Sequence, residues 1–211
     1  MPFRSNNRAA ALALTVLVAS MGIAAAQTVE VCQIVRTTPD AVTLQRGTLR
    51  VAAVVGHVLH RDDRVQTGAG GRATILCDTG LTMTVGPDTR IVLDRIMTDR
   101  GRGAGIRLLE GIAGFILPTP RLGGFVVRTP SAVAAVRSTQ WAVAAERRAT
   151  ATFVRKGAVA VAGRDRGVVL SAGEGVDVGP QGNVGTVKVW GPARVEGFAR
   201  RLGRDWQTPR R

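Results

Sequence analysis

Residues 63–94 read DRVQTGAGGRATILCDTGLTMTVGPDTRIVLD, three short apolar stretches separated by turn-forming residues. Gly68, Gly70 and Gly71 make the first break, Asp78 and Gly80 the second, and Gly86, Pro87 and Asp88 the third. Such residues reverse a chain because they tolerate positive φ, preset φ, or hydrogen-bond their own backbone. Between the breaks, residues 73–77, 81–85 and 90–93 each have the length of an ordinary strand. The same stretch contains Asp78-Thr79-Gly80, which can be read as a turn or as a catalytic aspartate motif.

Outward from this stretch, strand signals follow one another with almost no helical periodicity. Residues 42–44, 49–55, 106–109, 112–117, 125–128, 132–136, 141–145, 150–154, 158–162, 168–170 and 176–178 all read as extended, and glycine-bearing corners separate many of them. The fold class is therefore all-β. Turn spacing suits a sandwich, whereas the many short strands rich in small residues suit a β-solenoid, and no strict repeat decides between them. After residue 178 the pattern changes. Pro192 can open a helix with Val195, Phe198, Ala199 and Leu202 on one face and Gly203 as its stop. Trp206 and the basic end Pro209-Arg210-Arg211 are expected to trail off as a frayed tail.

The first 26 residues have the parts of a secretory signal: basic Arg4 and Arg8, an apolar run from Ala9, and Ala24-Ala25-Ala26 before Gln27. Cleavage after Ala26 is expected; a retained anchor is the alternative, since residues 9–26 approach the length of a membrane span. The expected organisation is a signal peptide at 1–26, a β domain at 27–180, and a tail with a short amphipathic helix at 181–211. The destination is then the periplasm or the exterior. In an oxidising compartment Cys32 and Cys77 can form one bridge, although spacing alone leaves a buried free Cys77 equally open. Cys32 follows Val29-Glu30-Val31 rather than a small-residue lipobox.

The 211-residue chain carries 29 basic against 15 acidic residues, a net charge of +14. Only Lys156 and Lys188 are lysine, and the arginines are dispersed without a run of like charge. Five Phe, three Trp and no Tyr offer little for base stacking, so nucleic acid is not the expected partner. An exported basic chain meets anionic envelope surfaces instead.

At this point the residues resemble a known family. Asp63-Arg64-Val65-Gln66-Thr67-Gly68, Asp78-Thr79-Gly80, Val85-Gly86-Pro87-Asp88-Thr89, Leu109-Glu110-Gly111 and Val127-Arg128-Thr129-Pro130 occur in an order similar to that of FecR periplasmic domains. Val136-Arg137-Ser138-Thr139, Val154-Arg155-Lys156-Gly157 and Leu170-Ser171-Ala172-Gly173-Glu174 continue the likeness, which spans about residues 42–178. Asp62 and Ser138 stand where the family has glycine, so those corners are expected to be rebuilt. The resemblance implies a regulatory domain, usually joined through a membrane helix to a cytoplasmic anti-sigma segment. With about eight residues before the apolar run, too few to fold alone, the expectation is a stand-alone exported domain whose signal another protein carries across the membrane.

Other chemistries find less support. Asp78-Thr79-Gly80 is similar to the active-site loop of retroviral-type aspartic proteases, and one motif per chain would require a symmetric dimer to supply the second carboxylate. His57 and His60 have metal-like spacing, but on an extended segment i and i+3 face opposite ways. Ser131, Ser138 and Ser171 lack a histidine at a recognisable motif, and Gly101, Gly103 and Gly105 lack the lysine and helix of a phosphate loop. No catalytic residue, metal or cofactor is expected. The expected function is a non-enzymatic interaction or signalling module. Its partner would be an envelope protein such as an outer-membrane receptor or transmembrane regulator. The alternative is a structural domain binding an anionic envelope surface; a dimeric protease using Asp78 is the remote one.

Overall fold

The computed structural model describes residues 32–95, 104–118, 124–136 and 139–207. The signal segment at 1–26, Ser138 and the end from Pro209 lie outside them. The described residues form 17 strands and two helices. In the first half the strands are β1 (Cys32–Thr37), β2 (Val42–Arg46), β3 (Leu49–Ala52), β4 (Val58–Leu59), β5 (Arg64–Thr67), β6 (Ala73–Cys77), β7 (Thr82–Val85) and β8 (Arg90–Arg95). A central β9 (Ala104–Ile116) follows. Then come β10 (Phe125–Arg128), β11 (Val133–Val136), β12 (Gln140–Glu146), β13 (Ala149–Lys156), β14 (Val159–Ala162), β15 (Gly167–Leu170), β16 (Glu174–Val178) and β17 (Lys188–Val189). Helices α1 (Pro192–Leu202) and α2 (Arg204–Gln207) close the described chain.

The strands make two open sheets that share β9. Sheet A runs β4-β1-β6-β7-β9-β12-β13-β16-β17. Sheet B runs β3-β2-β5-β8-β9-β10-β11-β14-β15. Every pairing is antiparallel except β9 with β10. In the second half, hairpins alternate between the sheets, so the two layers are also wound in the manner of a solenoid. Ile34, Ile75 and Phe115 from sheet A meet Val65, Ile91 and Val127 from sheet B in one continuous core.

The sequence suggests two strands at 106–109 and 112–117; the protein has one long strand that changes sheets. Up to Glu110 it pairs with β8 and β10, and from Gly111 it pairs with β12. Gly111 is the joint, at φ 91° and packed so closely that an added Cβ would lie 2.5 Å from the Thr89 Cα. A side chain is excluded both by that contact and by the backbone conformation.

Sheet A is buried on both faces at its centre. Trp141, Val143 and Val154 point into the sandwich, while Ala142, Ala144 and Phe153 meet a second apolar cluster under the helices. This accounts for the nearly continuous apolar run of β12, where a one-sided sheet would alternate. Helix α1 begins at Pro192, and its Phe198 and Leu202 are buried, in agreement with the apolar face read from the sequence. Arg72 donates to the carbonyls of Arg201 (2.8 Å) and Arg200 (2.9 Å), occupying acceptors that a helix C-terminus leaves open.

Trp206 corrects the expectation of a frayed tail. Its ring is fully buried, its Nε1 donates to the Trp141 carbonyl at 2.9 Å, and the Gln140 amide donates to its carbonyl. Gly114 makes room, because a Cβ there would collide with the indole ring, 2.8 Å from its Cγ and closer still to Cδ1.

Candidate functional site

The motif residues act first as fasteners. Thr67 is buried; its Oγ1 donates to the Gly86 carbonyl (2.6 Å) and accepts from the Thr89 N–H (2.9 Å). Thr89 Oγ1 in turn accepts from the Ile112 N–H at 2.8 Å, beside the β9 joint. Two threonines thus tie three strand ends to one corner. Thr129 repeats the device, its Oγ1 donating to the Ala132 carbonyl (3.0 Å) and accepting from the Ala132 N–H (2.9 Å). Glu174 accepts from the Ser171 N–H at 2.7 Å and closes the turn before β16.

Asp78 lies exposed in the turn between β6 and β7. The Gly80 N–H donates to the Cys77 carbonyl at 2.8 Å, and Gly80 takes φ 83°, the geometry of a hairpin turn. Immediately before it, Cys77 is joined to Cys32. The bridge links β1 to β6 where the two cysteines are directly opposite in register.

The same end of the sandwich carries a buried carboxylate and an exposed apolar rim. Asp63 is fully buried and takes two hydrogen bonds from Arg46 (2.9 and 2.7 Å) and one from the His60 N–H (2.8 Å). Burial alone would raise its pKa; the guanidinium and the backbone donor outweigh that and hold it below the usual carboxylate range. Around this pair, all four β3 residues are exposed, with Leu49 and Val55 each at 61% and Val51, Val54 and Val58 also open to solvent. His57 and His60 line the same shallow cavity of about 390 Å³ between β2, β3 and β4, although alternation assigns them opposite faces. The two-residue β4 lies between them and the chain turns on either side. His57 Nδ1 accepts from the Val54 N–H at 3.3 Å. Among the described residues no three His, Cys, Asp or Glu side chains gather as a metal site.

The FecR protein family model matches residues 63–160, which carry the threonine-fastened corners just described. The chain carries a FecR domain. Two crystal structures of a candidate anti-sigma factor from Parabacteroides distasonis ATCC 8503, at 2.50 and 1.65 Å resolution, share this fold. Each has a TM-score of 0.56 and 19% identity over 64% of this chain and 63% of the other. The chain therefore spans less than two thirds of either relative. No curated protein matches the sequence.

The FecR match is narrower than the resemblance at 42–178. Outside it lie Cys32, the β3 rim, and the helices over sheet A. Immediately before the FecR match, the Asp62 corner is not rebuilt: Asp62 takes φ 66°, keeping the left-handed turn that glycine would adopt. Aspartate tolerates that conformation better than most side chains. Sequence reading did not bring out the β3 rim, because apolar residues at 49–55 suggest a buried strand. Only pairing shows that β3 ends its sheet.

Proposed function

We propose that the chain is exported and acts in the periplasm as a non-enzymatic signalling or interaction module, receiving an extended segment of an envelope protein along β3. The observation that carries this reading is the β3 rim, an apolar edge strand with one side unpaired among the described residues. Exposed hydrophobic edges are hazards that proteins ordinarily blunt, and one left open suits strand addition by a partner. Exposed Arg50 on β3 and Arg64 on β5 supply positive charge, while Asp62 is paired with Arg61 at 3.7 Å and Asp63 with Arg46, so an acidic segment complements the rim. The Cys32–Cys77 bridge supports the oxidising compartment. Among the described residues no helix is long and apolar enough to cross a membrane.

The test is in-cell photo-crosslinking of the full chain from position 49, with and without Leu49→Glu and Val55→Asp. Both side chains are solvent-exposed, so folding should change by no more than about 0.5 kcal/mol. One envelope protein should be captured from the parent chain and lost from the variants. No capture, or capture unchanged by the variants, refutes the reading. Cell fractionation with N-terminal sequencing should find the chain outside the cytoplasm, beginning at Gln27; a reduced cytoplasmic chain would refute export.

A further inference from the structure

The β12–β13 hairpin turns through only two residues, Arg147 and Arg148, since Glu146 pairs directly with Ala149. Both have positive φ, 47° and 66°. Two-residue hairpins favour this geometry and usually fill it with Asn-Gly, because a Cβ is strained there. Placing two arginines at such a turn costs stability and sends both side chains into solvent. Strain of this kind is a pointer to function when the side chains face something that the fold does not use.

They face two different surroundings. On the helix side, Arg147 borders a cavity whose carboxylates are already paired, Glu146 with Arg201 at 2.6 Å and Asp177 with Arg194. On the other side, Arg148 and Arg164 line a cleft of about 450 Å³ with Ser131, Gln181 and the prolines Pro130 and Pro180, and among the described residues no carboxylate lines it. Arg164 is positioned by its backbone N–H, which donates to the Gly182 carbonyl at 2.7 Å. The carboxylate next to it in sequence, Asp165, is occupied by the N–H groups of Val184 and Arg166, both at 2.9 Å. Ser131 is fixed by its hydrogen bond to Thr150 at 2.7 Å. Neither Arg148 nor Arg164 makes a hydrogen bond or ion pair through its side chain among the described residues.

We propose that this cleft binds a phosphate ester, with Arg148 and Arg164 as its guanidinium clamp and the Gln181 amide as a further donor. Planar guanidinium forks suit the oxygens of a phosphate. The neighbourhood favours a compact group over an acidic peptide strand: β13 is paired on both sides by β12 and β16, β14 by β11 and β15, and no residue of the edge strand β15 lines the cleft. The phosphate can belong to a soluble compound or to a lipid headgroup. The site is separate from the β3 rim and does not depend on that reading.

The experiment titrates the full chain with inorganic phosphate and glycerol phosphate by calorimetry. Sedimentation with phosphatidylcholine vesicles, with and without phosphatidylglycerol, follows. Saturable binding that weakens as salt rises is expected. Binding of the soluble esters alone assigns a soluble ligand, and selective sedimentation with the phosphatidylglycerol vesicles assigns a headgroup. The double variant Arg147→Asn with Arg148→Gly should raise Tm by about 2–4 °C while weakening binding about tenfold or more. Arg164→Gln should weaken binding by a similar factor with Tm unchanged. No binding to any probe, binding that survives both variants, or binding of polyglutamate but not of phosphate esters overturns the proposal.

Discussion

The two halves of the molecule on either side of β9 share an architecture and differ in what holds them. In the first half, the β2–β3 and β6–β7 hairpins are interleaved with single strands that cross between the sheets, and the fastenings include the Cys32–Cys77 bridge and the pairing of Arg46 with the buried Asp63 carboxylate. In the second half, regular hairpins alternate between layers, and aromatic packing joins the helices to sheet A beside the exposed Glu146–Arg201 and Asp177–Arg194 pairs. Phe153 stacks on Trp190 at 5.3 Å between centroids, Trp190 meets Phe198 edge-on at 5.0 Å, and Trp206 seals sheet A. The first half therefore depends on redox state in a way the second does not. That is also the half bearing the exposed apolar rim.

The comparison breaks most completely at the joint the halves share. Gly111→Ala forces a Cβ against Thr89 in a backbone conformation that alanine resists, and should cost about 4 kcal/mol or more in denaturant unfolding. Loss of both sheets together is expected, since β9 belongs to each. Next, Trp206→Ala should remove about 3–5 kcal/mol by opening a cavity under α2, and tryptophan fluorescence should report a wetter environment for the remaining indoles. Replacing Cys32 and Cys77 by alanine should cost about 2–4 kcal/mol through the freed unfolded chain. Hydrogen exchange should then rise around β1 and β6 and remain low in β12 and β13; uniform exchange would erase the distinction between the halves.

The smallest effect is acid sensitivity. Because Asp63 titrates lower folded than unfolded, it contributes stability that is fully present above its ordinary pKa of 3.8 and is lost as pH falls through its depressed value. Asp63→Asn should flatten that part of the stability profile below about pH 4. An unchanged acid limb would show that the Arg46 pair contributes nothing to the first half.

What the sequence made legible follows from local chemistry. Glycine, proline and aspartate punctuate strands that are themselves apolar, so β6, β10 and most of the second half could be read directly. The helix was equally clear, because Pro192 and Gly203 bracket one apolar face. The long β9 was not, because Glu110-Gly111 looks the same whether the chain reverses or steps between layers. Trp206 was hidden for a similar reason: its burial depends on Gly114, which is distant in sequence and becomes informative only once β9 is placed beneath α2. For the candidate sites, the threonine motifs were visible as a pattern but not as fasteners. The Arg147-Arg148 turn gave no signal at all, since nothing in two arginines announces a left-handed backbone.

The shared strand also determines how the molecule bears load. Tension drawn across it would peel the outermost strands one ladder at a time, starting with the two-residue β4 and β17. β9, with neighbours on both sides in each layer, would yield last. A partner gripping the β3 end and an attachment at the arginine cleft would then be mechanically joined through thirteen residues of a single strand. Such a connection lasts only while the edge stays paired, so a pull on β3 would be spent on its ladder to β2 before it reached β9.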